Sequence, residues 1–258
     1  NIPSFVIDDS DGSSWEWVEK AKVADILVVS PGVAADKIAA IRHRVLVTAL
    51  DLELLLTDGL FRIGVTGSAG KSTTCNLLSY LIENAFVGGN FGNSFLETLG
   101  MPDINCLIIE ASSYQLEFHK YAFFDCAVLT SIFANHLKRH KTVKDYLEAK
   151  LNLVKHVKRL GFFVCQRDFE AFDTFLNCAR SRRLDIITVS QQDPKSDVYI
   201  NSERLYLNFL GRVLELEELA NLDLNAQTQL ALALPVALKM GLSIETALEK
   251  IQGYKPLP

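Results

Sequence analysis

The chain is short of the features that mark membrane-spanning and nucleic-acid-binding proteins. No apolar run among its 258 residues approaches the roughly 20 residues that a spanning helix needs. Basic residues are not in excess, because the chain has 26 Lys and Arg but 31 Asp and Glu, which gives a net charge of −5. General positive charge therefore cannot hold a nucleic acid, although a local basic patch is compatible with this balance. We expect neither a membrane nor a nucleic acid as the partner.

The sequence also lacks the cysteine pattern of a disulfide framework or a zinc site. Its five cysteines are an odd number, widely spaced and mostly within apolar runs. That usage predicts reduced, buried thiols and a cytoplasmic protein. The cysteines are Cys75, Cys106, Cys126, Cys165 and Cys178.

Short apolar runs that alternate with helical patterns make up most of what is present. Apolar residues are 49% of the chain, enough for a large buried core. The alternation predicts an α/β fold with a mostly parallel sheet, first in a small unit over residues 1–59 and then in a larger one over 60–258. Residues 205–209 and 212–216 flank a Leu-Gly turn and predict a small antiparallel hairpin beside that sheet.

A phosphate-binding loop is the most informative motif. An apolar run from residue 62 predicts a strand, two glycines follow, and a helical pattern begins near residue 75. Backbone N–H groups and the helix N-terminus would cradle phosphates, Lys71 would reach the β- and γ-phosphates, and the Ser72 hydroxyl would bind Mg²⁺. The alternative is an ordinary strand–helix turn. The predicted nucleotide-binding residues are Gly67, Ser68, Ala69, Gly70, Lys71, Ser72 and Thr73.

Polar groups follow two further predicted strands. After the first of these strands, three glycines surround Asn90. This pattern indicates either backbone held close to a ligand or a plain turn. Glu110 ends the second at its carboxyl edge, where a carboxylate can bind Mg²⁺ beside phosphates. Ser112 and Ser113 could cap the helix that follows.

Three other residues allow two interpretations each. His136 lies just past another predicted strand, but a lone histidine is more often structural. Lys150 falls in an amphipathic helix that Thr142 caps, and periodicity alone predicts a solvent-exposed lysine. Asp8 ends the first predicted strand and could bind a ribose hydroxyl or sit in a solvated turn.

The order and spacing of five motifs resemble the Mur ligase family. Residues 30–33 also fit the first domain of that family. The resemblance covers nearly the whole chain. The five motifs are residues 66–73, 88–92, 110–117, 135–140 and 146–150.

The resemblance implies a three-domain enzyme of which this chain is a portion. Residues 1–59 would be part of a Rossmann-like domain that binds a UDP-sugar, and residues 60–258 the central ATP-binding domain. A third domain, which supplies much of the amino-acid site in the family, would follow Pro258. We expect a monomer.

The same resemblance assigns roles around ATP and Mg²⁺. Lys71 and Ser72 would serve the phosphates and a first Mg²⁺, with Glu110 on that metal. His136 would bind a second Mg²⁺, and Lys150 would be the lysine that the family carbamylates, so that its anionic carbamate anchors the second metal. Lys71, His136 and Lys150 would be the catalytic set.

The resemblance also implies the reaction. ATP would activate the carboxylate of UDP-N-acetylmuramoyl-L-alanine as an acyl phosphate, and D-glutamate would displace the phosphate in peptidoglycan precursor synthesis. Asn90 and Ser112 would contact the UDP-sugar, and Asn225 would lie near the adenine. The alternatives are another Mur ligase, a folylpolyglutamate-type ligase and a non-catalytic nucleotide-binding remnant.

Overall fold

The computed structural model describes most of the chain between residues 21 and 254. Predictions for Asp8 and its strand, and for His136, lie outside the described residues, as does most of the helix predicted over 34–42. The described residues are 21–33, 37–38, 45–133, 140, 142–201, 204–215 and 224–254.

The described residues form strands that alternate with helices, as the sequence predicts. The strands are β1 (Ile26–Val29), β2 (Val45–Thr48), β3 (Phe61–Thr66), β4 (Ala85–Gly89), β5 (Cys106–Glu110), β6 (Phe124–Leu129), β7 (Val157–Gln166), β8 (Asp185–Ser190), β9 (Val198–Ile200), β10 (Arg204–Leu207) and β11 (Arg212–Glu215). The α-helices are α1 (Ala49–Leu56), α2 (Lys71–Leu81), α3 (Ser113–Leu116), α4 (Val143–Lys155), α5 (Phe172–Ser181), α6 (Leu224–Lys239) and α7 (Ile244–Gln252).

Nine strands make one large sheet in the order β11-β10-β9-β8-β7-β6-β3-β5-β4. The pairs from β4 to β9 are parallel, and β9, β10 and β11 pair antiparallel. Leu205 of β10 pairs with Leu214 of β11, which confirms the predicted hairpin. The α/β fold class, with a mostly parallel sheet and a small antiparallel part, is therefore confirmed.

Helices cover both faces of this sheet, so its central strands are apolar on both sides. Ile63 and Val65 of β3 pack into one core with α2 and α6. Leu107 of β5 packs into the other core with α4 and α5. Helix α4 lies so close to β3 that a side chain at Gly64 would overlap Leu153. This close packing sets the position of α4 beside the loop that follows β3.

Helix α1 packs on the large sheet although it falls within residues 1–59. Leu54 is fully buried in the same core as β5. The carboxylate of Asp51 accepts hydrogen bonds from the N–H groups of Tyr121 and Ala122, both at 2.8 Å. The smaller sheet, in which β1 and β2 run parallel, precedes this helix. A domain boundary near residue 59 stays a prediction.

The prediction of reduced, buried cysteines agrees with the structure. Four of the five cysteines are buried and all five are free, and burial raises the pKa of the Cys165 thiol above its ordinary value. Among the described residues no helix is long and apolar enough to cross a membrane.

Candidate active site

The loop between β3 and α2 has the strand–glycine–helix geometry that the sequence predicts. Gly67 allows close approach to β6, because a side chain there would overlap the Thr130 hydroxyl. Gly70 has φ +80°, and a Cβ at that position would lie 2.6 Å from the Gln229 side chain. Only glycine meets both demands at Gly70. Helix α2 then begins at Lys71.

The backbone amides of this loop divide into two groups. The N–H of Ser68 donates to Ser131 O at 2.6 Å, and the N–H of Ala69 donates to Ser131 Oγ at 3.2 Å. The first amides of α2, which include those of Lys71 and Ser72, have no acceptor within their own helix. The start of α2, where the helix dipole is positive, is therefore suited to an anion.

Two lysine ammonium groups meet at one carbonyl beneath the loop. Lys71 Nζ donates to Gly67 O at 3.0 Å and to Ser68 O at 3.4 Å. Lys150 Nζ donates to the same Gly67 O at 2.8 Å and to Thr66 Oγ1 at 3.3 Å. Two lysine side chains that share one acceptor concentrate basic groups at the loop, which suits a polyanionic ligand.

Lys150 is almost completely buried, with 2% of its surface exposed, so the solvent-exposed lysine predicted from periodicity is wrong. Its ammonium group lies 4.8 Å from the centre of the Tyr146 ring. Burial, and then the charge of Lys71, lower its pKa from 10.5 to about 7. Lys150 therefore has a substantial fraction of free amine near neutral pH.

Glu110 joins two of the predicted site residues. Its Oε2 accepts from Ser72 Oγ at 2.7 Å, and its Oε1 accepts from Asn90 Nδ2 at 2.7 Å. The carboxylate is 3% exposed and lies at the carboxyl end of β5. No group of three His, Cys, Asp or Glu side chains suited to a metal occurs among the described residues. A hydroxyl and one carboxylate nevertheless fit Mg²⁺, which takes its other ligands from phosphates and water.

Ser112 has the capping role that was one of its two interpretations. Its Oγ accepts from the Gln115 N–H at 3.3 Å and donates to Gln115 Oε1 at 3.0 Å. Both halves of a capping box are present at the start of α3. Its contact with a UDP-sugar stays a prediction.

A polar and aromatic network, which the sequence reasoning missed, connects the loop to α3. Tyr146 Oη lies 2.8 Å from Ser68 Oγ, and His140 Nε2 lies 2.9 Å from Ser113 Oγ. The His140 and Tyr146 rings are 5.6 Å apart. The available signal was spacing, since Tyr146 precedes Lys150 by four residues and shares its helix face.

The start of α6 lies over the phosphate loop. Gln229 Oε1 accepts from Thr74 Oγ1 at 2.8 Å. Asn225 is exposed and lies four residues earlier, on the same side of the helix as Gln229. Its contact with an adenine stays a prediction.

Comparison with known proteins identifies the family. The family described as "Mur ligase middle domain" matches residues 65–231. The chain belongs to the Mur ligase family.

The curated relatives of this Mur ligase chain are named as D-glutamate ligases. The UDP-N-acetylmuramoylalanine--D-glutamate ligase of Caldicellulosiruptor saccharolyticus is 28% identical over 201 residues, which are 74% of this chain and 44% of that protein. The enzyme of the same name from Geotalea uraniireducens is 27% identical over 254 residues, 92% of this chain and 54% of that one. The chain thus spans about half the length of these relatives.

Solved structures of Mur ligases share the fold. A UDP-N-acetylmuramoyl-L-alanyl-D-glutamate--2,6-diaminopimelate ligase has a TM-score of 0.67 at 19% identity, over 93% of this chain and 62% of that one. MurF from Thermotoga maritima, in complex with ADP, has a TM-score of 0.58 at 17% identity, over 93% and 65%. At these identities the likeness concerns the fold alone.

Proposed function

We propose that the intact protein is an ATP-dependent amide ligase that adds D-glutamate to UDP-N-acetylmuramoyl-L-alanine in peptidoglycan precursor synthesis. The observation that carries this proposal is the convergence of Lys71, Lys150, Ser72 and Glu110 at the carboxyl edge of β3 and β5. Membership of the Mur ligase family and the names of the curated relatives support the choice of substrates.

The chemistry needs an activated acyl group, because a carboxylate does not react with an amine at neutral pH. A carboxylate oxygen of the UDP-sugar substrate attacks the γ-phosphorus of ATP, and the bond from that phosphorus to ADP breaks. The amine of D-glutamate then attacks the acyl carbon and loses a proton, and inorganic phosphate leaves. Both steps bring negative groups together, so positive charge at the site lowers their barriers.

The residues of this chain would divide that work. The first amides of α2 and the Lys71 ammonium would bind the transferring phosphoryl group, and binding would draw Lys71 away from Gly67 O. Ser72 and Glu110 would hold Mg²⁺, which neutralises phosphate charge when bound. Asn90, already hydrogen-bonded to Glu110, and Ser112 would orient the UDP-sugar, and Asn225 would lie near the adenine.

Lys150 would act as a carbamate. Its free amine would attack carbon dioxide and release one proton, and the product carries a negative charge where the ammonium carried a positive one. A buried anion beside Lys71 is better compensated than a second buried cation. With His136, which lies outside the described residues, this group would hold a second Mg²⁺.

The test is the substrate dependence of phosphate release by the intact protein. With ATP and Mg²⁺ we expect steady release only when UDP-N-acetylmuramoyl-L-alanine and D-glutamate are both present. Omission of either, or L-glutamate in place of the D-isomer, serves as the control. Turnover with a folate and L-glutamate, or with another UDP-muramoyl peptide, would assign the protein to a different ligase. No turnover with any acceptor would favour a nucleotide-binding remnant.

A further inference from the structure

Strand β7 contains a large bulge near the amino end of the parallel strands, whereas the candidate active site lies at their carboxyl end. Phe124 of β6 pairs with Val157, and Cys126 pairs with Phe162. A step of two residues along β6 therefore opposes a step of five along β7. The extra residues project from the amino end of the parallel strands, whereas the phosphate loop follows the carboxyl end of β3.

The tip of the bulge is an exposed leucine in a strained conformation. Leu160 has φ +68°, in the left-handed region that disfavours residues with a side chain, and 94% of its surface is exposed. Phe123, which immediately precedes β6 at the same edge, is 41% exposed. Strain together with exposed apolar surface gives no benefit to the isolated chain, so it points to a contact with something else.

Basic residues lie in the segment that forms this tip and in a second segment bound to it, and two carboxylates at this end of the strands, Asp125 and Asp185, are each paired with a lysine. The segments 155–160 and 180–183 contain cations and no carboxylate, and Arg182 Nη2 donates to Val157 O at 2.8 Å, which holds the two segments together. Lys155 pairs with Glu148 and Lys158 with Asp125. Within the described part of the chain, no carboxylate lies within ion-pair distance of the other four. The six cations are Lys155, Lys158, Arg159, Arg180, Arg182 and Arg183.

We propose that this edge, which we call the bulge surface (residues 123, 155–160 and 180–183), docks on an anionic lipid bilayer. A protein of net charge −5 that keeps a local excess of cations is matched to an anionic partner. Cations around an exposed Leu and Phe suit the headgroup region, where apolar side chains enter the boundary and cations bind lipid phosphates. This proposal departs from the expectation, drawn from the lack of a long apolar run, that a membrane is not a partner. Contact at the bilayer surface needs no spanning helix, and none occurs among the described helices.

The geometry also favours a bilayer over a nucleic acid. The most exposed apolar residue of the surface, Leu160, is aliphatic, and the Phe123 ring is less than half exposed, so the surface lacks a fully exposed aromatic platform on which bases could stack. Docking at the amino edge of the sheet leaves the phosphate loop, at the carboxyl edge, facing away from the membrane and open to its ligands.

The test is sedimentation of the intact protein with vesicles. We expect it to bind vesicles of phosphatidylglycerol mixed with phosphatidylcholine, to leave pure phosphatidylcholine vesicles unbound, and to bind several-fold more weakly at high salt. Double charge reversal, Arg159→Glu with Arg183→Glu, should weaken binding at least about tenfold. Leu160→Gly should weaken it about threefold or more, while the unfolding midpoint stays the same or rises because glycine accepts this φ.

Matched variants away from the bulge surface serve as controls. Arg212→Glu on β11 and Leu99→Gly, which replaces a leucine that is 65% exposed, should leave vesicle binding unchanged. The proposal is overturned if the intact protein ignores anionic vesicles, if it binds a nucleic acid duplex in preference to them, or if the controls weaken binding as much as the bulge variants. Ligase activity in solution is measured separately, so failure here leaves the proposed function untouched.

Discussion

The two ends of the parallel strands present opposite kinds of surface. At the carboxyl end, the charged side chains of Glu110 and Lys150 are buried and hydrogen-bonded, Glu110 to the Ser72 hydroxyl and Lys150 to the Gly67 carbonyl. At the amino end, the bulge leaves Arg159 and Leu160 exposed without partners among the described residues. The same sheet therefore offers a closed, preorganised site at one edge and an open contact surface at the other. Substitution of a charged residue at the carboxyl end should therefore change turnover, whereas substitution of one at the amino end should not.

The largest expected effect is that of Lys71→Ala. Removal of the cation nearest the transferring phosphoryl group should lower ligase turnover of the intact enzyme by about a thousandfold or more. The matched change at the opposite edge, Lys158→Ala, should leave turnover unchanged. The measurement is phosphate release at saturating substrates, with thermal unfolding to confirm that both variants fold. Turnover of Lys71→Ala near that of the wild type would contradict the proposed site.

The next effect is that of Glu110→Gln, which keeps the shape of the side chain and removes its charge. We expect the Mg²⁺ concentration for half-maximal activity to rise about ten- to a hundredfold, because a metal ligand loses its charge. Asp125→Asn at the amino edge removes an ion pair with Lys158 and should not shift the Mg²⁺ requirement. An equal shift in both variants would show that the Glu110 effect is not local to the site.

The smallest expected effect is on the pH dependence of the unfolding free energy, to which Lys150 should contribute and Lys158 should not. In the unfolded chain Lys150 keeps its proton up to about pH 10.5, whereas in the folded chain it releases it near pH 7. The unfolded state therefore binds more protons between these values, so the folded state gains stability as pH rises through them. Relative to Lys150→Met, the wild type should gain more than about 1 kcal/mol of unfolding free energy between pH 7 and 10.

The stability curves should be measured by denaturant unfolding in buffers free of carbon dioxide, so that no carbamate forms. Lys158→Met is the control, since the Lys158 side chain is 46% exposed, unlike the buried Lys150, and its removal should leave the shape of the curve unchanged. If the wild type and Lys150→Met show the same pH dependence, Lys150 is not the buried amine described above.

Some predictions depend only on residues close together in the chain, and these agree with the structure. The strand, the glycine turn and the helix from Lys71 are determined over about one turn of backbone, because glycine accepts the φ of +80° at Gly70. The placement of Glu110 at the end of an apolar strand and the capping of α3 by Ser112 are local in the same sense. Alternation of strand and helix patterns was sufficient for the fold class.

Other features arise from packing between residues far apart in the sequence. Periodicity placed Lys150 on a solvent-exposed face, but α4 packs on Gly64 and carries Lys150 into contact with Gly67, 83 residues away. The N–H groups of Ser68 and Ala69 donate hydrogen bonds to Ser131, and no local sequence pattern predicts these bonds.

The sequence by itself determined the order of strands and helices, the phosphate loop and the family, because each rests on short-range backbone rules and motif spacing. Only the tertiary structure decided which amides remain open to an anion, that the Lys150 amine is buried beside Lys71, and that β7 bulges outward between Val157 and Phe162. The physical reason is that desolvation, shared acceptors and strand register are set by neighbours that the chain brings together only on folding.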